Sequence, residues 1–372
     1  MNKYPRNKYM KTFNLKFSFH IDRDSFLSLN WRIFIITAIL GFLLSFVSHL
    51  SIKLPIISPL SYANRQDVFV SILPKLEKIP NQFSLHKKTT LIAKSYAGST
   101  TEYDKAASYI AVNYDTGEII ASKNSDQKLP IASITKIATA VTALDLADST
   151  ELFTASSIAA SEIPTKIGLV PGQKLTLSEL LHALLLTSAN DAAQMIREGI
   201  DEKYSSDVFI KAMNAKAKFL GLKNTSFANP QGFDSKNNYS TVEDLAILTH
   251  YALNNYPLIS EIVKKDYAFL EKNANHKQYD LYNWNGLLGV YPNIEGVKIG
   301  NTDKAGKTTA VVSQRNGKKI IAILLGAPGV LERDLWTAQL LDYSFSENFG
   351  LNEVGITEDN LRAKYSTWRY WN

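Results

Sequence analysis

The sequence predicts an α+β body, in which an antiparallel sheet is flanked by helices and carries an all-helical subdomain, preceded by one N-terminal transmembrane helix. Three observations predict it. Strand signals cluster at the two ends of the body and helical signals fill its middle, the order expected when both chain ends build one sheet around a helical insert. A turn dipeptide, Asn316-Gly317, sits between two apolar runs near the C-terminus. Near the N-terminus, 20 residues (33–52) pass without an Asp, Glu, Lys or Arg.

The N-terminal run comes first. At about 1.5 Å per residue it spans the roughly 30 Å hydrocarbon layer. The apolar core of a cleavable signal peptide is shorter, about 7–15 residues. Only Ser61-Tyr62-Ala63 offers a weak cleavage signal, so an uncleaved anchor is expected. Of the 41 basic and 35 acidic residues, seven and two lie before residue 33, leaving 34 against 33 in the remainder. The basic flank orients residues 1–32 toward the cytoplasm and everything after about residue 53 outside the membrane. The near-neutral remainder argues against a nucleic-acid partner. The chain has no cysteine, which excludes thiol catalysis, disulfides and thiolate metal sites. Its six histidines are widely separated and form no HxxxH pair, so no metal is expected.

Residues 53–105 contain Pro55, Pro59, Pro74 and Pro80 and no sustained periodicity, and are expected to form an extracytoplasmic tether. The body is expected over 106–345. Residues 108–113 and 118–122 read as strands around the turn Tyr114-Asp-Thr-Gly117. Residues 134–146 read as a helix buried on most faces. Thr176-Leu-Ser-Glu179 is a capping box ahead of the apolar run 177–186, which ends at Ser188-Ala189-Asn190. Further helices are expected over 207–220, stopped by Gly221, and over 241–253. Strands 309–313 and 319–325 flank Asn316-Gly317, and a helix closes the body over 331–343. A tail, 346–372, ends in the aromatic-basic cluster Trp368-Arg369-Tyr370-Trp371; packing on the body, or no structure at all, is favoured over contact with a membrane interface.

Three short patterns carry the chemistry. In Ser133-Ile-Thr-Lys136, spacing i to i+3 on a first helical turn puts a hydroxyl and an amine on one face. A serine hydroxyl needs a base. A lysine serves if burial and a second cation keep it neutral. Taken alone the pattern fits a helix cap with a solvated lysine better, since Ser and Lys are common and chance matches are expected in a chain this long. Ser188-Ala189-Asn190 lies 55 residues later. It offers a hydroxyl for proton relay and an amide for a peptide group, and also reads as a polar helix terminus. Lys298-Ile-Gly300 offers positive charge and a close backbone approach, or merely a solvated lysine at a strand end.

The three patterns in this order resemble the SxxK, SxN and KTG signatures of penicillin-recognising enzymes. The surrounding segments are similar to the low-molecular-weight penicillin-binding proteins, the serine D-Ala-D-Ala carboxypeptidases. They include ASYIAVNYDTGEIIASKNSDQKLPIASITK, LVPGQKLTLSELLHALLLTSANDAA, FLGLKNTSFANPQGFD and EGVKIGNTDKAG. The resemblance implies a β-lactamase/transpeptidase-like fold and a peptidoglycan stem peptide as substrate. It implies acylation by β-lactam antibiotics and no cofactor. Ser133 would be the nucleophile, Lys136 its base and Ser188 a proton relay. Asn190, Lys298, Gly300, Asn301 and Thr302 would bind substrate, with an oxyanion hole from the backbone N–H groups of Ser133 and Asn301.

One departure stands out. Ile299 replaces the threonine whose hydroxyl helps hold the substrate carboxylate in the resembled family, and Thr302 lies close in sequence as another donor. That loss leaves room for a catalytically impaired muropeptide or β-lactam sensor. A β-lactamase would need a carboxylate to activate water, for which Glu162 and Glu179 are present but unsupported by their context.

Overall fold

The computed structural model describes residues 81–87 and 101–368. The expected membrane helix, the basic tail and most of the tether lie outside them. Among the described residues no helix is long and apolar enough to cross a membrane.

The chain enters through a short strand, β1 (His86–Lys87), and a hairpin, β2 (Ser108–Asn113) and β3 (Glu118–Lys123). Helix α1 (Thr135–Leu146) follows a tight turn at Ala132–Ile134. A helical region then carries α2 (Ser157–Ser161), α3 (Leu177–His182), α4 (Asn190–Lys203), α5 (Val208–Phe219), α6 (Val242–Asn255) and α7 (Pro257–Val263). Two small ribbons interrupt it, β4 (Leu152–Thr154) with β5 (Lys174–Thr176), and β6 (Tyr267–Leu270) with β7 (Tyr279–Tyr282). The chain returns to the sheet as β8 (Ile294–Thr302), β9 (Gly306–Arg315) and β10 (Lys318–Ala327), and ends in α8 (Val330–Phe349) and α9 (Glu358–Ser366).

The main sheet has the order β1-β3-β2-β10-β9-β8 and is antiparallel except for β1 against β3. The predicted sheet built from both chain ends is therefore the one observed. Its β9–β10 turn is Asn316-Gly317, both with positive φ (49° and 73°), as a two-residue hairpin of right-handed twist requires. Alternation along the strands sends side chains to two cores. Ile110, Val112, Ile321 and Ile323 face the helical region, whereas Tyr109, Ala111, Ile320 and Ala322 pack against Trp336, Leu340 and Phe345 of α8. With both faces covered, β2 is buried at all six positions.

In α1 every residue but Leu144 is buried. The capping box at Thr176–Glu179 is made in both directions: Thr176 Oγ1 accepts from Glu179 N–H, and Glu179 accepts from Thr176 N–H at 2.7 Å. The apolar run ends in a π-helical turn, Ala183–Thr187. Besides the two ribbons and helices α2 and α7, which were not expected, the fold differs from expectation in the following ways. A helix, α4, restarts at Asn190, immediately after the expected end at 188–190. The closing helix runs on to Phe349. The tail then forms α9, which packs back with Leu361 buried.

Candidate active site

The site forms where α1, the start of α4 and the sheet's outer strand β8 converge. Ser133 lies in the turn leading into α1, directly after Ala132, which is left-handed (φ +49°). Ser188 is also left-handed (φ +63°) and ends the π-helical turn. Such a conformation costs a non-glycine residue about 1–2 kcal/mol and persists only where surrounding structure imposes it. Here it interrupts the helix so that Ser188 faces the cleft while Asn190 opens α4. The start of α4 is fixed from outside: Asn190 N–H donates to Thr165 O at 2.7 Å, and the Asp191 carboxylate accepts from the N–H groups of Ile167, Gly168 and Leu169. Thus the segment carrying Pro164 and Thr165 is held as one wall of the cleft.

Lys136 is fully buried. Its Nζ lies 2.9 Å from Ser133 Oγ, 2.8 Å from Asn190 Oδ1 and 2.6 Å from Gln231 O. The Asn190 amide is oriented by its Nδ2, which donates to Ile163 O at 3.0 Å, so Oδ1 is the atom facing the lysine. Burial, reinforced by the charge of Lys298, holds the Lys136 amine well below the usual lysine range. A neutral amine has two N–H donors and one lone pair. Asn190 Oδ1 and Gln231 O can only accept, so they take both donors, and the lone pair is left for the Ser133 hydroxyl.

On β8, Gly300 packs against the nucleophile turn: a Cβ there would stand 2.8 Å from both Ser133 N and Ala132 Cβ. Gly232 is as tight from the other side. Its φ is +93°, and a Cβ would stand 2.0 Å from Ala132 O. The two glycines let backbone from distant segments close on Ser133. Lys298 is buried beside Arg333; burial and that guanidinium bring its amine down to about 7.

Ser133, Ser188, Ile299, Gly300 and Asn301 line one cleft of about 430 Å3. Lys307 also lines it, and its Nζ donates to Asn301 Oδ1 at 2.7 Å. Thr302 is not among the lining residues. Its hydroxyl donates to Asp234 Oδ1 at 2.7 Å and accepts from Ala305 N–H, pinning the β8–β9 turn. The expectation that Thr302 replaces the donor missing at Ile299 is therefore corrected: its hydrogen bonds are already committed. No group of three or more metal-ligating side chains occurs among the described residues.

Residues 95–329 match the D-alanyl-D-alanine carboxypeptidase family (peptidase family S11). The chain belongs to this family. It is 34% identical over 248 residues to the D-alanyl-D-alanine carboxypeptidase DacF of Bacillus subtilis, which covers 65% of this chain and 63% of the relative. It is 29% identical over 280 residues to DacA of Haemophilus influenzae, covering 72% and 69%. The chain thus spans somewhat under two thirds of the length of DacF. Among solved structures, the DD-transpeptidase of Streptomyces K15 superposes with a TM-score of 0.61 at 27% identity, covering 65% of this chain and 97% of that one. DacD of Francisella tularensis, at 23% identity and the same TM-score, shares the fold, covering 70% of this chain and 74% of that one.

In this family member, sequence reasoning missed several cleft residues, Arg333 and Trp284 among them. Arg333, on the first turn of α8, is 1% exposed, lines the cleft, and holds Asp334 by two bonds of 2.7 and 2.8 Å. Trp284 lines the same wall and meets Trp368 edge-on at 5.6 Å. Neither stands in a motif. Gln231, whose carbonyl binds Lys136 and whose Nε2 donates to Glu162 and Gln194, was legible only as part of a loop.

Proposed function

We propose that the chain is a serine D-Ala-D-Ala carboxypeptidase that removes the terminal D-Ala from peptidoglycan stem peptides through a Ser133 acyl-enzyme. The observation that carries this reading is the saturated, buried environment of Lys136, which leaves one lone pair aimed at a serine hydroxyl. Lys136 takes the proton as Ser133 Oγ attacks the penultimate carbonyl. The backbone N–H groups of Ser133 and Asn301 stabilise the oxyanion. Ser188 relays the proton to the leaving amine, and Asn190 and β8 hold the substrate backbone. The charges of Lys298 and Arg333 attract the terminal carboxylate. Water then releases the acyl group by the reverse sequence. β-Lactams would acylate Ser133 by the same attack.

The uncharged run at 33–52 and its basic flank support a single-pass anchor, with residues 53–105 as tether and the body over 106–345 on the extracytoplasmic side. Protection of the body from external protease in whole cells would refute that topology. Nothing favours β-lactamase chemistry. Glu162 accepts from Gln231 and does not line the cleft. Glu179 is occupied in its capping box and bonded to His276. The deciding experiment is D-alanine release from a diacetyl-L-Lys-D-Ala-D-Ala peptide by the full chain and by Ser133→Ala. Release that the substitution abolishes supports the reading. Release that survives it removes Ser133 from the mechanism, and release from neither chain leaves a binding role.

A further inference from the structure

The cleft carries a feature that removal of D-alanine does not use. Its carboxylate-attracting end is defined by Arg333, with Lys298 buried beside it. A C-terminal carboxylate drawn there fixes the leaving residue between Ser133 and Arg333. The apolar side chains lining the same cleft include Trp284, Ile299 and Val330, the last on the same helical turn as Arg333. Trp284 is only 9% exposed and braced by Trp368, so its ring is a fixed surface rather than a mobile flap. Ile299 gives no hydrogen bond to a carboxylate, and the neighbouring hydroxyl of Thr302 is committed to Asp234. Recognition at this end therefore combines positive charge, from Arg333 with Lys307 also lining the cleft, with apolar wall and no hydroxyl at position 299. The alanine methyl is the smallest apolar side chain that could meet that wall.

Resting on the carboxypeptidase reading, we infer that the preferred leaving residue is a D-amino acid with an apolar side chain larger than the alanine methyl, of the kind of D-leucine or D-methionine. The reaction is otherwise unchanged. Ser133 Oγ bonds to the penultimate D-Ala carbonyl carbon, and the bond from that carbon to the terminal residue's nitrogen breaks. The serine proton ends on the leaving amine. Water adds to the acyl-enzyme and restores the hydroxyl. No oxidant, metal or second substrate is needed.

In a hydrophobic pocket one methylene is worth about 10- to 200-fold in kcat/KM. The test is a competition. Equal amounts of diacetyl-L-Lys-D-Ala-D-Ala and diacetyl-L-Lys-D-Ala-D-Leu are offered to the full chain in one tube, and released D-Ala and D-Leu are measured. The ratio does not depend on how much enzyme is active. D-Leu released at least about tenfold faster, with release abolished in Ser133→Ala, supports the inference. So does a ratio that moves back toward D-Ala in Ile299→Thr and in Val330→Ala. D-Ala released as fast as D-Leu or faster overturns the inference and leaves the carboxypeptidase reading standing. A D-Leu preference that neither wall substitution alters overturns the assignment of the wall. No Ser133-dependent release of either residue removes the carboxypeptidase reading, and this inference with it.

Discussion

Replacing Asn190 by aspartate tests whether Lys136 works as a neutral base. The two side chains are nearly isosteric, and Oδ1 stands 2.8 Å from Lys136 Nζ. A carboxylate there attracts the ammonium form by about 6 kcal/mol at an effective dielectric constant of 20, equivalent to about 4 pK units. Desolvation of the new carboxylate offsets part of this, so a rise of at least about 2 units is expected. If the proton settles on the carboxyl instead, its O–H donates to Nζ and the lone pair is again taken from Ser133. Either way, D-Ala release at pH 7 falls at least about 100-fold. The rate then recovers as pH is raised toward the new lysine value. Loss of the Asn190 amide donors also weakens substrate binding, but that lowers the rate equally at every pH. The assay is therefore the full profile of kcat/KM from pH 6 to 10 for the wild-type chain, Asn190→Asp and Asn190→Ala. An acidic limb that stays in place in Asn190→Asp, with the whole curve merely lowered, would refute the neutral-lysine argument.

Three further outcomes are expected. Gly232→Ala and Gly300→Ala each force a Cβ into the Ser133 turn, and a displacement near 1 Å there costs about 100-fold in turnover; D-Ala release read beside the melting temperature checks that the fold survives. Lys216 and Asp145 form an ion pair at 2.8 Å between α5 and α1, with both side chains at most 5% exposed. Lys216→Met removes the ammonium partner of a buried carboxylate that keeps its bond from Tyr256 O–H at 2.7 Å, and costs about 3–5 kcal/mol, while Lys216→Met with Asp145→Leu recovers most of it in urea unfolding. His250 stacks on Phe83 at 3.8 Å and near Tyr114. Burial brings its imidazole down to about 4, against a weak opposing pull from Asp115. Its contribution to stability is present above pH 6.5 and lost as pH falls toward 4. A drop from 6.5 to about 4 would be worth about 3 kcal/mol for a fully buried ring, reduced to about 1–2 because this one is only half-buried. In His250→Phe the slope of unfolding free energy between pH 4 and 6.5 should flatten, and an unchanged slope would place the acid sensitivity elsewhere.

The parts of the fold that were legible in the sequence are those fixed by local rules. Asn316-Gly317 marks its hairpin because both residues accept positive φ. Thr176 and Glu179 mark a helix start because each caps the other. The motif residues Ser133, Lys136, Ser188 and Asn190 were legible through a resemblance, and the structure puts Ser133 and Ser188 on one cleft with Lys136 bonded to Ser133 and to Asn190. What was not legible depends on tertiary closure. Helix α4 carries Ala192, Met195, Ile196 and Ile200 at helical spacing, but the preceding apolar run hid its start, since only the left-handed turn at Ser188 separates the two. The ribbons β4–β5 and β6–β7 have three or four residues per strand, too few for alternation to show. Arg333 is a lone arginine on a terminal helix, a residue type most often exposed. It is buried because the tail returns over it. Tyr365 of α9 donates to Asp334 Oδ2 at 2.8 Å, and that carboxylate clamps the guanidinium.

Three buried basic side chains of the site make the substrate carboxylate part of the catalytic apparatus under the proposed reading. Lys136, Lys298 and Arg333 are each at most 2% exposed, and Asp334 answers the charge of Arg333. With its amine near 7, Lys298 is only partly charged in the free chain at neutral pH. A carboxylate arriving at Arg333 favours the charged form of Lys298, because opposite charges a few ångströms apart stabilise each other. A fully charged Lys298 in turn holds Lys136 neutral more firmly. Binding of the correct chain end thus completes the base. A substrate ending in a carboxamide lacks that charge, so it should lose kcat as well as binding, with the acidic limb of kcat displaced to higher pH than for the free acid. If the carboxamide peptide loses affinity alone, with kcat and its pH dependence unchanged, the carboxylate serves only as an anchor and the coupling through Lys298 is absent.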